Sequence, residues 1–414
     1  MVSVSDVIFY VLVFLSVYVQ VFFLITFLEN RKKIITRKGE IKLTNYPSVT
    51  IAVPCWNEEN TVEKTVRSLL DLNYPKDKVK IFLIDDGSTD NTWNIIRHFV
   101  HYPNIKVFRK ANGGKHTALN LGLEHLETDF FGGLDADSFV DSESLVRIMS
   151  YFEKDDTVMA IVPSVIVNNP KGFVQNIQKT EYFMGIFVKK MLDFLGAIYV
   201  TPGTLTVFNK KVFDDLGPYR HAYNGEDMEI AYRMQKNHYK IAYCNDARVY
   251  TNTPETVQKL YRQRLRWFYS FINNTLDYRS ILFKRKYGNF AFFTLPTGIV
   301  SVFAVGYILG KIVYNVTNFF YSQFIQFQAA GFDLSARINN LDSFFINTKM
   351  SLFLIIIVYF IIIFAIMFGR RMSEGKFRFS FSMFYFLPIF SIIAPAWIFM
   401  AIFNTVFSRI PVWR

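Results

Sequence analysis

Three pairs of acidic side chains have a spacing that could perform chemistry. Two carboxylates in one turn can hold a hard cation, and Mg²⁺ uses one or two protein carboxylates when it also binds substrate phosphates. A carboxylate can also act as a general base that removes a proton from an attacking hydroxyl. Because acidic residues are common in turns and at helix N-termini, a single pair would indicate little. The three pairs are Asp85-Asp86, Asp135-Ala136-Asp137 and Glu226-Asp227.

A glycine turn followed by a lysine could supply the complementary positive charge. The segment Asn112-Gly113-Gly114-Lys115 resembles half of a P-loop. The match to that motif fails, because Arg109 stands where the first glycine is required and His116 stands where Ser or Thr is required. A glycine turn with a lysine at a helix N-terminus can still hold a diphosphate.

The pattern of strands and helices predicts where these residues lie. Short apolar runs alternate with helical patterns near residues 90–101, 115–127 and 141–153, which predicts an α/β domain with a parallel sheet and right-handed crossovers. Ligands bind such sheets at the carboxyl ends of the strands. Two of the acidic pairs directly follow predicted strands, so we expect them at that edge. The predicted strands are residues 49–55, 80–84, 105–108 and 130–134.

Uncharged stretches indicate that part of the chain spans a membrane. Four stretches have the roughly 20 residues that one crossing requires. Basic clusters follow the first stretch and separate the last two, which predicts a cytoplasmic location for residues 29–286 and for residues 370–378. Residues 312–332 carry no charge but several amides, and they are predicted to form an external interfacial segment. The stretches are residues 7–28, 287–310, 350–369 and 379–408.

Composition excludes several classes of protein. With 51% apolar and 19% charged residues, the 414-residue chain is not disordered. Two cysteines, Cys55 and Cys244, cannot form a disulfide framework or a Cys-rich metal site. The net charge of +12 on an apolar chain indicates contact with anionic membrane lipid and argues against nucleic acid as a partner.

A basic segment with interleaved aromatic residues precedes the second predicted crossing. Residues 257–286 have the composition of a helix that lies in the membrane interface. The same composition would suit a nucleic-acid patch, but the position beside a crossing favours the membrane. Arginines here could also neutralise a diphosphate, and a tryptophan could stack on a sugar. The predicted units are residues 1–28 (transmembrane helix), 29–46 (basic linker), 47–250 (α/β domain), 251–286 (interfacial segment) and 287–414 (about three transmembrane helices).

Six motifs in their order along the chain resemble the membrane-embedded family 2 glycosyltransferases. This family includes the bacterial poly-β-1,6-N-acetylglucosamine synthases and, more distantly, hyaluronan, chitin and cellulose synthases. The last motif matches the Q-x-x-R-W signature of processive members. The motifs are Pro54-Cys55-Trp56-Asn57-Glu58, Asp85-Asp86-Gly87-Ser88, Asn112-Gly113-Gly114-Lys115, Asp135-Ala136-Asp137, Gly225-Glu226-Asp227 and Gln263-Arg264-Leu265-Arg266-Trp267.

The resemblance implies a Rossmann-like GT-A fold and a role for each matching residue. Asp137, helped by Asp135, would hold Mg²⁺ or Mn²⁺ on the diphosphate of a UDP-sugar. Asp86 would contact the uracil or ribose, with Asp85 beside it, and Asp227 would be the catalytic base. The remaining substrate contacts would be Pro54, Asn57, Glu58, Lys115, Glu226, Gln263, Arg264, Arg266 and Trp267.

One departure from the family pattern lies next to the implied base. The family often has Thr, or Gly-Asp, before this aspartate, whereas this chain has Gly225-Glu226. Because the carboxylate pair is kept, we expect the base role of Asp227 to be kept as well.

The resemblance implies inverting transfer of a sugar, with N-acetylglucosamine as the expected one, to a growing β-linked polysaccharide at the plasma membrane. One alternative is transfer of a single sugar to a lipid acceptor, either polyprenyl phosphate or diacylglycerol. Another is an inactive membrane scaffold or a sugar-nucleotide sensor. The Q-x-x-R-W match favours the polysaccharide, and the presence of every expected acid opposes the inactive scaffold. Because four crossings are few for a translocation channel, a small membrane subunit or a homo-oligomer could complete it.

Overall fold

The computed structural model describes residues 4–34, 41, 43–330 and 348–411, and these contain eight strands and twelve α-helices. The strands are β1 (Val49–Cys55), β2 (Val79–Asp86), β3 (Ile105–Lys110), β4 (Phe130–Leu134), β5 (Ser138–Val140), β6 (Val158–Val167), β7 (Thr204–Asn209) and β8 (Lys240–Thr251). The helices are α1 (Val4–Asn30), α2 (Val62–Leu70), α3 (Thr92–Arg97), α4 (Lys115–Glu124), α5 (Ser144–Lys154), α6 (Phe173–Phe194), α7 (Lys211–Leu216), α8 (Glu226–Lys236), α9 (Val257–Asp277), α10 (Leu295–Ala330), α11 (Thr348–Glu374) and α12 (Ser382–Val406). Residues 35–40 and 42 of the predicted linker, and residues 331–332 of the predicted external segment, lie outside the described residues.

The eight strands form one mixed sheet in the order β3-β2-β1-β4-β7-β6-β8-β5. The first four strands in this order are parallel, as predicted, and β1 and β4 have the predicted bounds. The prediction of an entirely parallel sheet is wrong for the other half, because β7 runs antiparallel to both β4 and β6. Thr204 pairs with Leu134, so β7 begins where β4 ends. The segment before β7 therefore lies at the carboxyl edge of the parallel strands.

Strand β2 is longer than predicted and includes the first acidic pair. Asp85 and Asp86 were expected to follow the strand, but they pair with Arg109 and Lys110 in the parallel ladder with β3. Opposite charges on neighbouring strands stabilise such a pairing, and this accounts for the added residues at the end of both strands.

The four predicted membrane crossings are confirmed as helices. Among the described residues, four helices are long and apolar enough to cross a membrane. The prediction of a separate external segment at residues 312–332 is corrected, because α10 continues without a break through 36 residues to Ala330. No proline or glycine interrupts residues 312–330, so nothing in the sequence ends the helix there. At 1.5 Å per residue α10 is about 54 Å long, well beyond the ~30 Å hydrocarbon core of a bilayer.

The membrane helices meet the α/β domain largely through α6. The C-terminal ends of α1 and α11 and the N-terminal end of α12 contact α6, whereas the residues that lead into α10 contact α1. The chain directions of α1, α10, α11 and α12 therefore alternate, as four successive crossings require. The contacts are Phe27 with Phe187 (ring centroids 5.8 Å apart), Gly369 with the backbone of Phe183, the Ser382 hydroxyl with the Thr180 hydroxyl (2.7 Å), and Phe293 with Phe22 (4.5 Å).

Replacement of Gly369 by alanine tests the docking of α11 on α6. A Cβ at this position would lie 1.8 Å from the carbonyl oxygen of Phe183, so the two helices would have to separate. We expect Gly369→Ala to destabilise the protein by about 2 kcal/mol, a typical cost of overpacking, measured as a lower thermal midpoint in detergent. Gly306→Ala on α10 is the control, because its Cβ would meet no atom within 4 Å. An unchanged midpoint in Gly369→Ala would contradict this packing.

Candidate active site

A half-buried lysine lies at the centre of the acidic residues at the carboxyl edge of the sheet. Helix α4 begins at Lys115, and Gly114 immediately before it has φ of +89°. The Nζ atom of Lys115 lies 2.5 Å from Asp135 Oδ1 and 3.5 Å from Glu226 Oε1. Burial alone would lower the pKa of Lys115, but the charges of Asp135, Glu226 and Asp227 outweigh it and raise that pKa. Lys115 is therefore a permanent cation that joins two acidic pairs.

The Asp135–Asp137 pair carries a concentration of negative charge. Burial, and then the charges of Asp135 and Glu58, raise the pKa of Asp137 to about 7. Asp137 Oδ1 accepts a hydrogen bond from the Ser138 hydroxyl at 3.2 Å. A cation close to Asp137 would therefore stabilise its ionised carboxylate, whereas the Asp135 carboxylate is already paired with Lys115.

These carboxylates suit a divalent metal that is shared with a substrate. The described residues contain no cluster of three or more His, Cys, Asp or Glu side chains able to hold a metal ion. A protein site of two carboxylates, Asp137 and Asp135, matches Mg²⁺ or Mn²⁺, which prefer oxygen ligands and complete their coordination with water and phosphates. Burial and the neighbouring negative charges, which together raise the pKa of Asp137, support the fit, because a bound cation would stabilise the ionised form.

Asp86 holds the glycine turn in place. Its Oδ1 accepts hydrogen bonds from the Gly113 N–H at 3.1 Å and from Lys110 Nζ at 2.6 Å, and its Oδ2 accepts one from the Gly114 N–H at 2.9 Å. Asp86 is 3% exposed. The structure therefore brings Asp86 to the predicted edge but engages both of its oxygens with the protein.

The first motif connects the ends of β1 and β2. Pro54 lies within β1, and Asn57 follows the strand with φ of +55°. The Asn57 N–H donates to the Ser88 hydroxyl at 3.1 Å, which fixes the loop after β1 to the turn after β2. The charge of Glu58 acts on Asp137, so this loop also borders the acidic pair.

Helix α8 presents the Glu226–Asp227 pair in its first turn. Burial and then the charge of Glu226 raise the pKa of Asp227 to about 6, against the opposing effect of Lys115. The backbone carbonyl of Asp227 accepts hydrogen bonds from both the N–H (3.0 Å) and the hydroxyl (2.7 Å) of Thr201. A carboxylate with a pKa near neutrality has the basicity that general-base catalysis requires.

A small pocket lies between α4, α8 and the segment before β7. Gly203 has no room for a side chain, because a Cβ would lie 2.3 Å from Lys115 Nζ and 2.7 Å from Asp135 Oδ1. The carbonyl of Gly203 also accepts a hydrogen bond from the Asp135 N–H at 2.7 Å. Residues lining the pocket include Lys115, Gly133, Pro202, Gly203, Glu226 and Asp227.

Helix α9 carries the last motif, and its side chains have different surroundings. Arg264 is 2% exposed, whereas Trp267 is 40% exposed. Gln263 Oε1 is buried and has no hydrogen-bond partner among the described residues. The charge of Arg266 lowers the pKa of Asp227, which places Arg266 near the acidic pair of α8. Helix α9, which lies within the predicted interfacial segment, packs against α8 and α12.

Comparison with known proteins assigns the α/β domain. Residues 50–217 match the family model described as glycosyl transferase family 2. This part of the chain is a family 2 glycosyltransferase domain. A mannosyltransferase from Pyrobaculum calidifontis, solved in complex with GDP-mannose and Mn²⁺, superposes with a TM-score of 0.55 at 15% identity, over 96% of this chain and 99% of that one. This likeness supports the predicted GT-A fold.

Two curated relatives have the same name. The poly-beta-1,6-N-acetyl-D-glucosamine synthase of Staphylococcus aureus (strain MSSA476) is 30% identical over 235 residues, which are 56% of this chain and 57% of the relative. The synthase of Staphylococcus epidermidis is 31% identical over 221 residues, 53% of each chain. The chain therefore matches a little over half the length of these relatives.

The glycosyltransferase domain contains site residues that the sequence pattern did not single out. Arg109 Nε lies 3.2 Å from Asp85 Oδ2, an ion pair without hydrogen-bond geometry, and Lys110 binds Asp86. Two consecutive basic residues at the end of β3 and two consecutive acidic residues at the end of β2 could have predicted these ion pairs from the sequence. Glu181 on α6, the partner of Arg264, had no such signal, because it lies in a largely apolar helix.

Replacement of Gly203 by alanine tests the arrangement around Lys115 in the glycosyltransferase domain. The added methyl would push Lys115 away from Asp135, so we expect at least tenfold weaker binding of a nucleoside diphosphate, about 1.4 kcal/mol. Calorimetric titration with UDP and with GDP would measure the affinity. Gly172→Ala is the control, since its Cβ would meet no atom within 4 Å. Equal affinities in both variants would contradict a role for this close approach.

Proposed function

We propose that this protein transfers a sugar, N-acetylglucosamine in the first instance, from a UDP-sugar to a growing β-linked polysaccharide at a membrane, with inversion at the anomeric carbon. The observation that carries the proposal is the position of Asp227. Its carboxyl group has a pKa raised to about 6, and it lines a pocket together with Lys115, beside Asp135. A base and a cation thus border one small cavity.

The donor occupies the carboxyl edge of the sheet. Lys115 binds the diphosphate from the N-terminus of α4, where the helix dipole also favours negative charge. Asp86 keeps the glycine turn in position beneath the nucleoside, with Asp85, Pro54 and Asn57 supporting the same edge. Asp137, with Asp135, would hold Mg²⁺ or Mn²⁺, which when bound would stabilise charge on the diphosphate.

The reaction is a single displacement. The acceptor hydroxyl oxygen forms a bond to the anomeric carbon from the face opposite the diphosphate, and Asp227 takes its proton. The bond from the anomeric carbon to the β-phosphate oxygen breaks, and UDP leaves with the electron pair. Lys115 and Arg266 are placed to balance the charge of the departing diphosphate. Inversion converts an α-linked donor into a β-linked product.

A polysaccharide acceptor is supported by the surroundings of α9 and by the relatives. Trp267, 40% exposed, offers an aromatic face on which a sugar can stack. The curated relatives that match half of the chain are named as polysaccharide synthases. Gln263, with an unpartnered buried oxygen, adds a hydrogen-bond acceptor nearby.

The distribution of charge supports a cytoplasmic location of the catalytic domain. Basic residues 31–33 and 370–378 lie at the helix ends that meet the α/β domain, and positive loops stay on the cytoplasmic side. UDP-sugars are then accessible to the site, and the four apolar helices contact membrane lipid. A small membrane subunit or a second copy of the chain would complete a path for the product.

The experiment that tests the proposal is UDP release by the purified protein in detergent. A panel of UDP-sugars is assayed with Mg²⁺, Mn²⁺ or EDTA, and the products are sized. We expect metal-dependent release from UDP-N-acetylglucosamine with formation of long chains. If the product is a single sugar on a lipid, the acceptor is a lipid and not a polysaccharide. Absence of release from every donor, also in native membranes, would contradict glycosyl transfer.

The Asp227→Asn variant is the matched control for chemistry in this assay. The amide keeps the size of the side chain but cannot accept the proton, so we expect transfer to fall at least 100-fold, a typical contribution of a general base. UDP binding should be retained, because the proposal assigns the diphosphate to Lys115 and the proton transfer to Asp227. Wild-type rates in Asp227→Asn would rule out its role as the base.

A further inference from the structure

A buried arginine connects the exposed tryptophan of α9 to helix α6. Arg264 Nη2 lies 2.5 Å from Glu181 Oε2, and the guanidinium group lies 4.1 Å from the centre of the Trp267 ring. Arg264 is 2% exposed, which argues against the direct substrate contact that the resemblance implied for it. It contacts instead the residue of the motif that faces solvent.

An arginine suits the geometry of this contact better than a lysine would. Residues three apart on a helix lie on the same face, so Arg264 and Trp267 are neighbours along α9. A planar guanidinium can stack on an indole ring and bind a carboxylate at the same time, which an ammonium group does less well. A buried charge without a partner would be costly, and Glu181 supplies a partner for Nη2, while Nε and Nη1 have no hydrogen-bond partner among the described residues.

The part of α6 that carries Glu181 is bonded to two other helices. The Thr180 hydroxyl, next to Glu181, is bonded to the Ser382 hydroxyl at 2.7 Å. Lys179 lies 3.6 Å from Glu374 at the end of α11. The part of α6 that holds Arg264 is therefore itself held by the two last membrane helices.

The same cluster borders the reaction centre. Burial raises the pKa of the Tyr182 phenol to about 12, and both Arg264 and Asp137 contribute to its electrostatic surroundings. Arg266, which precedes Trp267, acts on the pKa of Asp227. Helix α9 also lies directly against the start of α8, because a Cβ at Gly225 would be 1.7 Å from the Ser270 hydroxyl oxygen. Trp267 therefore lies about one helical turn from a residue that contacts the start of the Glu226–Asp227 pair.

We propose that Arg264 is a positioning residue that, through its ion pair with Glu181, fixes the Trp267 ring as the platform on which the acceptor sugar stacks. This inference rests on the proposed function, because it assigns the acceptor side of the same site. If Arg264 has this role, the orientation of the Trp267 ring depends on α6. It then also depends on the membrane helices that contact α6.

Acceptor kinetics test this role. With a defined β-1,6-linked N-acetylglucosamine pentasaccharide as acceptor, Arg264→Met should raise the acceptor KM about five- to tenfold, as expected for loss of one cation–π contact. The affinity for UDP should stay at the wild-type value. Arg264→Lys, which keeps the charge, should give an intermediate acceptor KM. An acceptor KM equal to that of the wild type in Arg264→Met would overturn the proposal.

A double variant separates positioning from stability. Glu181→Met combined with Arg264→Met replaces both buried charges by apolar side chains of similar length, which should restore the thermal midpoint that either single change lowers. The proposal predicts that the acceptor KM of the double variant remains raised. If the midpoint and the acceptor KM both return to wild-type values, the ion pair is only structural and the proposal fails.

A third comparison asks whether Arg264 acts through Trp267. In a Trp267→Ala background, Arg264→Met should raise the acceptor KM no further, and a further rise would overturn the proposal. ¹⁹F NMR of protein labelled with 5-fluorotryptophan gives a test without turnover, with the Trp267 signal assigned from Trp267→Phe. Arg264→Met should shift that signal, and an unshifted signal would contradict the contact. If the wild-type protein releases no UDP, the proposed function fails. The contact between Arg264 and Trp267 is still tested, because the ¹⁹F signal is read without turnover.

Discussion

The site depends on one half-buried positive charge. Lys115 lies within ion-pair distance of Asp135 and Glu226 and also acts on Asp227, so one ammonium group balances carboxylates just after β4 and at the start of α8. Buried carboxylates without such a partner would take up protons, because desolvation disfavours their charged form. Near this lysine, Asp137 and Asp227 have raised pKa values, first because of burial and then because of neighbouring carboxylates. The proposed cation ligand and the proposed base thus owe their raised pKa values to the same two causes.

The reversal of direction in the sheet makes this arrangement possible. Because β7 runs antiparallel to β4, the segment before it returns to the carboxyl edge and brings Gly203 against Lys115 and Asp135. The Thr201 hydrogen bonds to the Asp227 carbonyl connect the same segment to α8. Helix α6, immediately before this segment, contacts α1, α11 and α12. The reaction centre and the membrane helices are consequently parts of one packed unit.

Local patterns in the sequence predicted those features that depend on neighbouring residues. The bounds of β1 and β4, the parallel half of the sheet and the four apolar helices all follow from short-range hydrophobic patterns. The antiparallel β7 and the burial of Arg264 do not, since both depend on contacts distant in sequence, such as Thr204 with Leu134 and Arg264 with Glu181. The Asp85-Asp86 pair was placed at the right edge, but its basic partners on β3 extended the strand.

The most direct test of this electrostatic account is the pH dependence of kcat/KM for UDP release at saturating Mn²⁺, in wild-type protein and in Glu226→Gln. Asp227 must be ionised to act as the base, so the rate should fall as the pH falls through about 6, the pKa of that group. Glu226 raises the pKa of Asp227, so its removal should move this acid limb to lower pH. An acid limb that does not move in Glu226→Gln, or a rate independent of pH between 5 and 8, would contradict the account.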